Sequence, residues 1–175
     1  MPYDKKIAIV YKSKYGCTMK YAGWLAIKLN ADLYEVTDVG KWDLLKYKTI
    51  IFGSPIYNSK IYLGDYIEDK YSIIQNKNIV LFCVSMNLES KEDIIKYNFK
   101  NKDIKNKIKF FFLDGCIKFN DLSRIDKIKI QKYTNKNSLF EILKLTKNIK
   151  IDKSDKATIA PIINYILDKT YTIKK

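Results

Sequence analysis

The sequence predicts a doubly wound α/β domain: a five-stranded parallel sheet with helices on both faces. Three observations carry that prediction. Strand-like and helix-like stretches alternate along the 175 residues. The strand stretches are continuous apolar runs, as they must be when both faces of a sheet are covered by helices. Each run stops at a short polar loop holding Gly, Pro, Ser or Asn, where the chain leaves the sheet.

Taken in order, residues 7–11 form the first buried strand, followed by a polar loop, 12–17, with a single glycine. Thr18 then opens a helical pattern with Tyr21, Ala22, Leu25 and Leu29 on one face and Asn30 as its stop. Residues 32–37 alternate like a strand, and Leu44 and Leu45 lie in a polar segment suited to a helical turn. Residues 49–53 are the next apolar run, and 53–58 are expected to break it. Pro55 in particular is expected to end the ladder and force a loop. Residues 62–74 show a helical face; 78–84 are another buried strand, ended by Ser85-Met86-Asn87. Residues 89–99 read as a surface helix with Ile94, Ile95 and Phe99 on one side, and 100–107 as a solvated connection. Residues 107–113 are the last strand, ended by Asp114-Gly115. Beyond it, 122–133 are loosely helical, and Ser138 can cap a helix through Leu145 with Glu141 at the capping-box position. Asp155 can start another through Leu167, its first turns disturbed by Pro161. Trp24 and Trp42 are expected to pack in or around the core. The whole chain, 1–175, reads as one domain, with 117–175 a basic, helical C-terminal part.

Composition bounds the chemistry. A hydrophobic content of 47% supports a packed core. The net charge is +14, and it is uneven: residues 1–87 carry 12 Lys and 8 acids, residues 88–175 carry 21 Lys and Arg and 11 acids. Either an anionic partner or a general drift toward Lys, Ile, Asn and Tyr accounts for it. Nucleic acid is disfavoured as that partner, since no binding motif accompanies the charge. Three cysteines are too few and too irregular for a disulfide framework or a thiolate metal site, so reduced thiols in a cytoplasmic protein are expected. With no histidine, the commonest general base and zinc ligand is missing, and catalysis is expected to lean on a cofactor. The first residues lack the plan of a signal peptide, and no apolar run approaches the roughly 18 residues of a membrane span. Any membrane contact is therefore expected to be peripheral, against an anionic inner face.

In such sheets ligands sit outside the carboxyl ends of the strands, where the winding reverses, which nominates the loops 12–18, 53–58 and 85–88. The first loop offers hydroxyls at Ser13 and Thr18 around Gly16, with Lys14 between them, before a helix start. Loop and first-turn N–H groups converging there suit a phosphate monoester. The loop lacks both the triphosphate P-loop and the dinucleotide fingerprint. An ordinary turn capped by Ser13 and Thr18 is the competing reading. Cys17 lies where helix-end charge could depress a thiol pKa and make a redox thiol, but a buried or bystander thiol is the favoured reading. In the second loop, small Gly53 and Ser54 precede Pro55, Ile56, Tyr57 and Asn58, a combination that can present backbone polar groups to the edge of a flat heteroaromatic ring and an aromatic to its face.

Ser13-Lys-Tyr-Gly-Cys-Thr18 after the first strand, with Gly53-Ser-Pro-Ile-Tyr57 after the third, resembles the phosphate loop and first isoalloxazine loop of the flavodoxin family. The resemblance covers roughly residues 6–116. It implies non-covalently bound FMN and strand order 2-1-3-4-5. It also implies that Ser13, Lys14, Tyr15, Gly16, Cys17 and Thr18 hold the phosphate. Ser54, Pro55, Ile56, Tyr57 and Asn58 would flank one side of the flavin, and Ser85, Met86 and Asn87 the other. Residues 110–123, the basic tail and the short third loop further resemble the flavodoxin-like menaquinone-dependent protoporphyrinogen oxidases. That likeness implies an oxidoreductase passing electrons from a tetrapyrrole to a quinone, with no side chain needed as a base. An electron carrier without its own substrate, and a flavin-free basic binding module, are the alternatives.

Overall fold

The computed structural model describes residues 7–40, 42–86, 90–127 and 150–172. Its strands are β1 (Ile7–Tyr11), β2 (Asp32–Glu35), β3 (Thr49–Tyr57), β4 (Lys60–Ile61), β5 (Asn78–Ser85), β6 (Ile108–Asp114), β7 (Cys116–Lys118) and β8 (Lys150–Asp152). Its helices are α1 (Cys17–Leu29), α2 (Gly64–Ile74), α3 (Lys91–Asn98), α4 (Lys102–Lys107) and α5 (Ala160–Thr172). The main sheet runs β2-β1-β3-β5-β6, with β4 attached to β3. All pairings along that path are parallel; β4 alone is antiparallel. The five parallel strands thus keep the expected 2-1-3-4-5 order, and β4 is a sixth strand that pattern reading did not supply.

The apolar runs are continuous because successive side chains enter different layers. Ala8 and Val10, Ile50 and Phe52, and Ile79 and Leu81 face one core, shared with Ile67 and Ile74 of α2, Ile94 of α3 and Ile104 of α4. Ile9, Ile51, Val80 and Phe82 face the other, shared with Tyr21, Ala22 and Leu25 of α1 and Ile162 and Ile166 of α5. Burying each such side chain stabilises the fold by roughly 1.5–3 kcal/mol before the opposing chain entropy. Helix α1 ends where Asn30 turns left-handed (φ 47°), its N–H donating to the Ala26 carbonyl, as does the Ala31 N–H at 3.0 Å.

Four expectations are corrected. Residues 53–57 do not leave the sheet: β3 continues through Pro55, which stands opposite Val84 of β5. The reason lies in the direction of the strand's polar groups. The Gly53 carbonyl accepts the Lys12 N–H at 3.0 Å and so faces β1, whose pairing with β3 ends at Tyr11 opposite Gly53. The strand period of two points the Pro55 nitrogen to that same side, beyond β1, where no ladder bond is lost. The turn comes at Asn58 and Ser59, both at positive φ (51° and 60°), between β3 and β4. Gly53 is needed inside the strand because Phe82 crosses it: a Cβ there would lie 2.3 Å from the Phe82 ring.

The Lys-rich run 100–107 is not merely a connection, since α4 occupies most of it and the Asn101 side chain caps it by accepting the Asp103 N–H at 2.8 Å. Trp42 is 70% exposed, because the short 3-10 turn Asp43–Lys46 buries only Leu44; Trp24 does pack, edge-on to Tyr21. The C-terminal part is not simply helical: β7 and β8 form an antiparallel pair. Asp155 does start a helix, accepting the Ala157 N–H at 2.8 Å and opening a 3-10 turn, Lys156–Ile159, that becomes α5 at Ala160. Pro161 sits in the first turn of α5, where its missing N–H breaks no internal bond. The expected helix from Ser138 to Leu145 lies outside the described residues, as do the end of the 122–133 segment and Asn87.

Candidate functional site

Two strand ends and one segment from beyond β6 meet at the C-terminal edge of the sheet. The first contributor is the loop between β1 and α1. Lys12 is tied down at both ends, its N–H to Gly53 and its ammonium to Glu35 at 2.9 Å. Gly16 adopts φ 84°, left-handed backbone that costs a side-chain-bearing residue about 1 kcal/mol or more, and this kink starts α1 abruptly. No side chain caps α1 and no acid stands in its first turn. Its first N–H groups therefore carry the positive end of the helix dipole toward the loop. Just before them the Ser13 hydroxyl oxygen is buried and has no hydrogen-bond partner among the described residues. A buried hydroxyl without a partner costs about 1–3 kcal/mol, which makes Ser13 a candidate contact for a ligand or a water. Thr18 is buried at the same helix start, at 2% exposure.

Cys17 is a buried thiol, the reading favoured over a reactive one. Burial, then the Cys116 thiol beside it, pushes its pKa well up, so it stays protonated; desolvation outweighs any help from the helix end. Among the described residues, no cluster of three or more His, Cys, Asp or Glu is placed to hold a metal.

The second contributor, the end of β3, looks different from its sequence. Ser54 is fully buried, and its hydroxyl is already committed: it accepts the Leu63 N–H at 3.0 Å and donates to the Pro55 carbonyl at 3.1 Å. Pro55 and Ile56 are buried, Ile56 within the core shared with α2. Only Tyr57 and Asn58 project, Tyr57 half-buried and Asn58 exposed in the turn. Tyr57 meets Tyr15 edge to face at 6.4 Å and Tyr62 likewise at 6.5 Å, and burial raises its phenol pKa. The Lys14 ammonium lies 5.3 Å from the Tyr15 ring centre and 5.6 Å from that of Tyr57. The third loop is only partly described: Ser85 closes β5, its carbonyl accepting the Gly115 N–H at 2.8 Å, and Met86 follows it half-buried.

The third contributor was missed by sequence reading. Asp126, in a helical turn at 124–127, accepts from Lys14 at 2.5 Å, from the Tyr15 hydroxyl and from the Ser123 hydroxyl at 2.8 Å. Ser123 in turn accepts the Asp126 N–H at 3.1 Å. The Lys14 ammonium, followed by the Tyr15 hydroxyl, holds the Asp126 carboxyl down at about 2. The available signal was the Ser123-x-x-Asp126 spacing, the mark of a helix start. What that start would touch, 112 residues upstream, has no sequence signal.

The site thus combines an uncapped helix start, an orphaned buried hydroxyl and an aromatic wall at one edge of a parallel sheet. Solved structures to which this chain is similar include a flavodoxin from the domain Archaea, at 12% identity over 72% of this chain and 91% of that one with a TM-score of 0.42. Another is the Trp repressor binding protein of Bacillus subtilis, at 14% identity, 63% and 85% coverage and TM-score 0.41. A mutant flavo di-iron protein from Thermotoga maritima matches at 17% identity and TM-score 0.42, covering 75% of this chain and 34% of that one. No curated protein matches the chain. The family model described as a flavodoxin domain matches residues 8–138, well over half the sequence, and this chain belongs to the flavodoxin-domain family.

Proposed function

We propose that this protein binds FMN non-covalently at the C-terminal edge of its sheet and uses it to move electrons. The observation that carries the reading is the Ser13 hydroxyl, buried without a partner among the described residues in front of the uncapped start of α1. A phosphate monoester there would accept from that hydroxyl and from the first N–H groups of α1, and its charge would be favoured by the helix dipole. Thr18 adds a second hydroxyl at the same helix start. Tyr57, supported edge-on by Tyr15 and Tyr62, supplies an aromatic face for a flat ring, while Ser54 and Ile56 hold that strand end rigid rather than touching the ligand. Met86 would close the other side. FMN, when bound, supplies the redox chemistry, and the chain's part is to bind it, orient it and limit its exposure to water.

The narrower role is an oxidoreductase acting on a tetrapyrrole or a quinone. It is supported by the basic excess of residues 88–175, which suits porphyrinogen carboxylates or an anionic lipid surface. Among the described residues no helix is long and apolar enough to cross a membrane, so contact with a lipid surface would be peripheral.

The test is an absorbance spectrum of the purified protein, before and after adding FMN and removing the excess. A yellow protein that releases FMN on denaturation is expected; a colourless one that ignores added FMN overturns the reading. Turnover of porphyrinogen or quinone by the loaded protein then separates the oxidoreductase from a carrier.

A further inference from the structure

Asp126 reaches back across 112 residues to Lys14 and 111 to Tyr15, both inside the loop assigned to the FMN phosphate. We propose that Asp126 is a positioning residue for the cofactor site: its carboxylate locks Lys14 and Tyr15 in place and so pre-shapes the 12–18 loop for its ligand. The proposal rests on the FMN reading and adds to it a residue outside the strand-end loops.

Geometry favours a lock over an incidental ion pair. An exposed Lys–Asp pair alone is worth little, about 0–1 kcal/mol. Here one carboxylate, with its side chain 18% exposed, collects three donors: Lys14, Tyr15 and Ser123. The Tyr15 hydroxyl is specified from both sides, donating to Asp126 and accepting the Ser123 N–H at 3.3 Å. With its hydroxyl held, the Tyr15 ring is set against Tyr57, and the Lys14 ammonium is kept near both rings. Restraint therefore passes from the 124–127 turn through Tyr15 to the end of β3. A loop so held gives up less conformational freedom when its ligand arrives, which is how preorganisation raises affinity.

The proposal is tested on the full chain with Asp126→Asn, Asp126→Glu, Lys14→Met and the Lys14→Met/Asp126→Asn pair. Asp121→Asn is the control, since its 3.9 Å contact with Lys118 is an exposed pair nearby. Two quantities are read: the FMN dissociation constant, by quenching of flavin fluorescence, and the labelling rate of Lys14 in the flavin-free protein, by mass spectrometry. Circular dichroism confirms folding.

Asp126→Asn is expected to weaken FMN binding about tenfold, and the double variant to be no weaker than the worse single one, because both remove one shared interaction. Lys14 is expected to label several-fold faster in Asp126→Asn than in the wild type. Asp126→Glu is expected to recover part of the affinity, and Asp121→Asn to stay within about twofold on the same affinity scale. Unchanged affinity or unchanged Lys14 labelling in Asp126→Asn overturns the proposal. If that variant does not fold, Lys14→Met with wild-type affinity does the same. A wild-type protein that ignores FMN instead overturns the cofactor reading, while the labelling of Lys14 still shows whether the lock exists.

Discussion

The ends of β1 and β3 look alike in sequence, each an apolar run followed by glycine, hydroxyl and tyrosine, yet they do opposite things with their polar groups. After β1, the Ser13 hydroxyl is buried without a partner among the described residues and the start of α1 is uncapped. At the end of β3, Ser54 is buried to the same depth as the core, and its hydroxyl is fully engaged by Leu63 and Pro55. One end leaves a polar group unanswered among the described residues, while the other is complete in itself. A hydroxyl in a strand-end loop thus indicates a ligand only when the fold leaves it unanswered.

The sharpest way to break this comparison is Gly53→Ala, which sets a Cβ 2.3 Å from the Phe82 ring between the two central strands. Overpacking of that kind should cost about 3 kcal/mol of stability in urea unfolding. An unchanged midpoint would mean that β3 is not held against β5 as described.

The next test sets the two serines side by side. Ser54→Ala leaves the Leu63 N–H buried without its acceptor and should cost about 2 kcal/mol of stability. The FMN affinity of the folded fraction should hardly change. Ser13→Ala should do the reverse, leaving stability no lower while weakening FMN binding roughly tenfold, the value of one lost hydrogen bond to a charged group. Equal effects of the two substitutions on FMN affinity would erase the distinction.

Gly16→Ala is a smaller perturbation. At φ 84° it should lower stability by about 1 kcal/mol, read by thermal unfolding of the flavin-free protein. Nothing lies within 4 Å of the added Cβ, so strain rather than a clash would be the cause.

The smallest effect is a pH dependence. The Asp126 carboxyl is held at about 2 by Lys14 and Tyr15, below the roughly 3.9 of an unfolded Asp. A depressed folded pKa means that its contribution is complete above about pH 4 and is lost as the pH falls through about 2. The stability difference between wild type and Asp126→Asn should therefore be flat from neutral pH to about pH 5 and shrink below about pH 4. A difference that instead shrinks around neutral pH would assign the effect to another group.

Most of the fold was legible because its signals are local. Continuous runs such as 49–53 and 78–84 reported strands covered on both faces, and Tyr21, Ala22 and Leu25 reported the buried side of α1. Asn30 ended that helix as its type suggests. The geometry of the candidate site was legible where it depends on a strand-to-helix turn, with Gly16 at the kink and α1 after it. It was misread where a local rule met its neighbours. Pro55 breaks a ladder only if its nitrogen faces another strand, and at that point β1 has already ended. At Cys17 the favoured reading, a buried thiol, holds, since burial rather than the helix end governs it.

By itself, then, the sequence determined the alternation of strands and helices, the parallel sheet and the loop between β1 and α1, since each follows from the periodicity and turn chemistry of neighbouring residues. Tertiary structure alone decided which hydroxyls are already answered and which residue locks the loop. Whether Ser13 or Ser54 keeps a partner depends on what packs against it. Asp126 comes to Lys14 and Tyr15 only because the chain beyond β6 folds back over the sheet edge, a contact across 112 residues that no local pattern encodes.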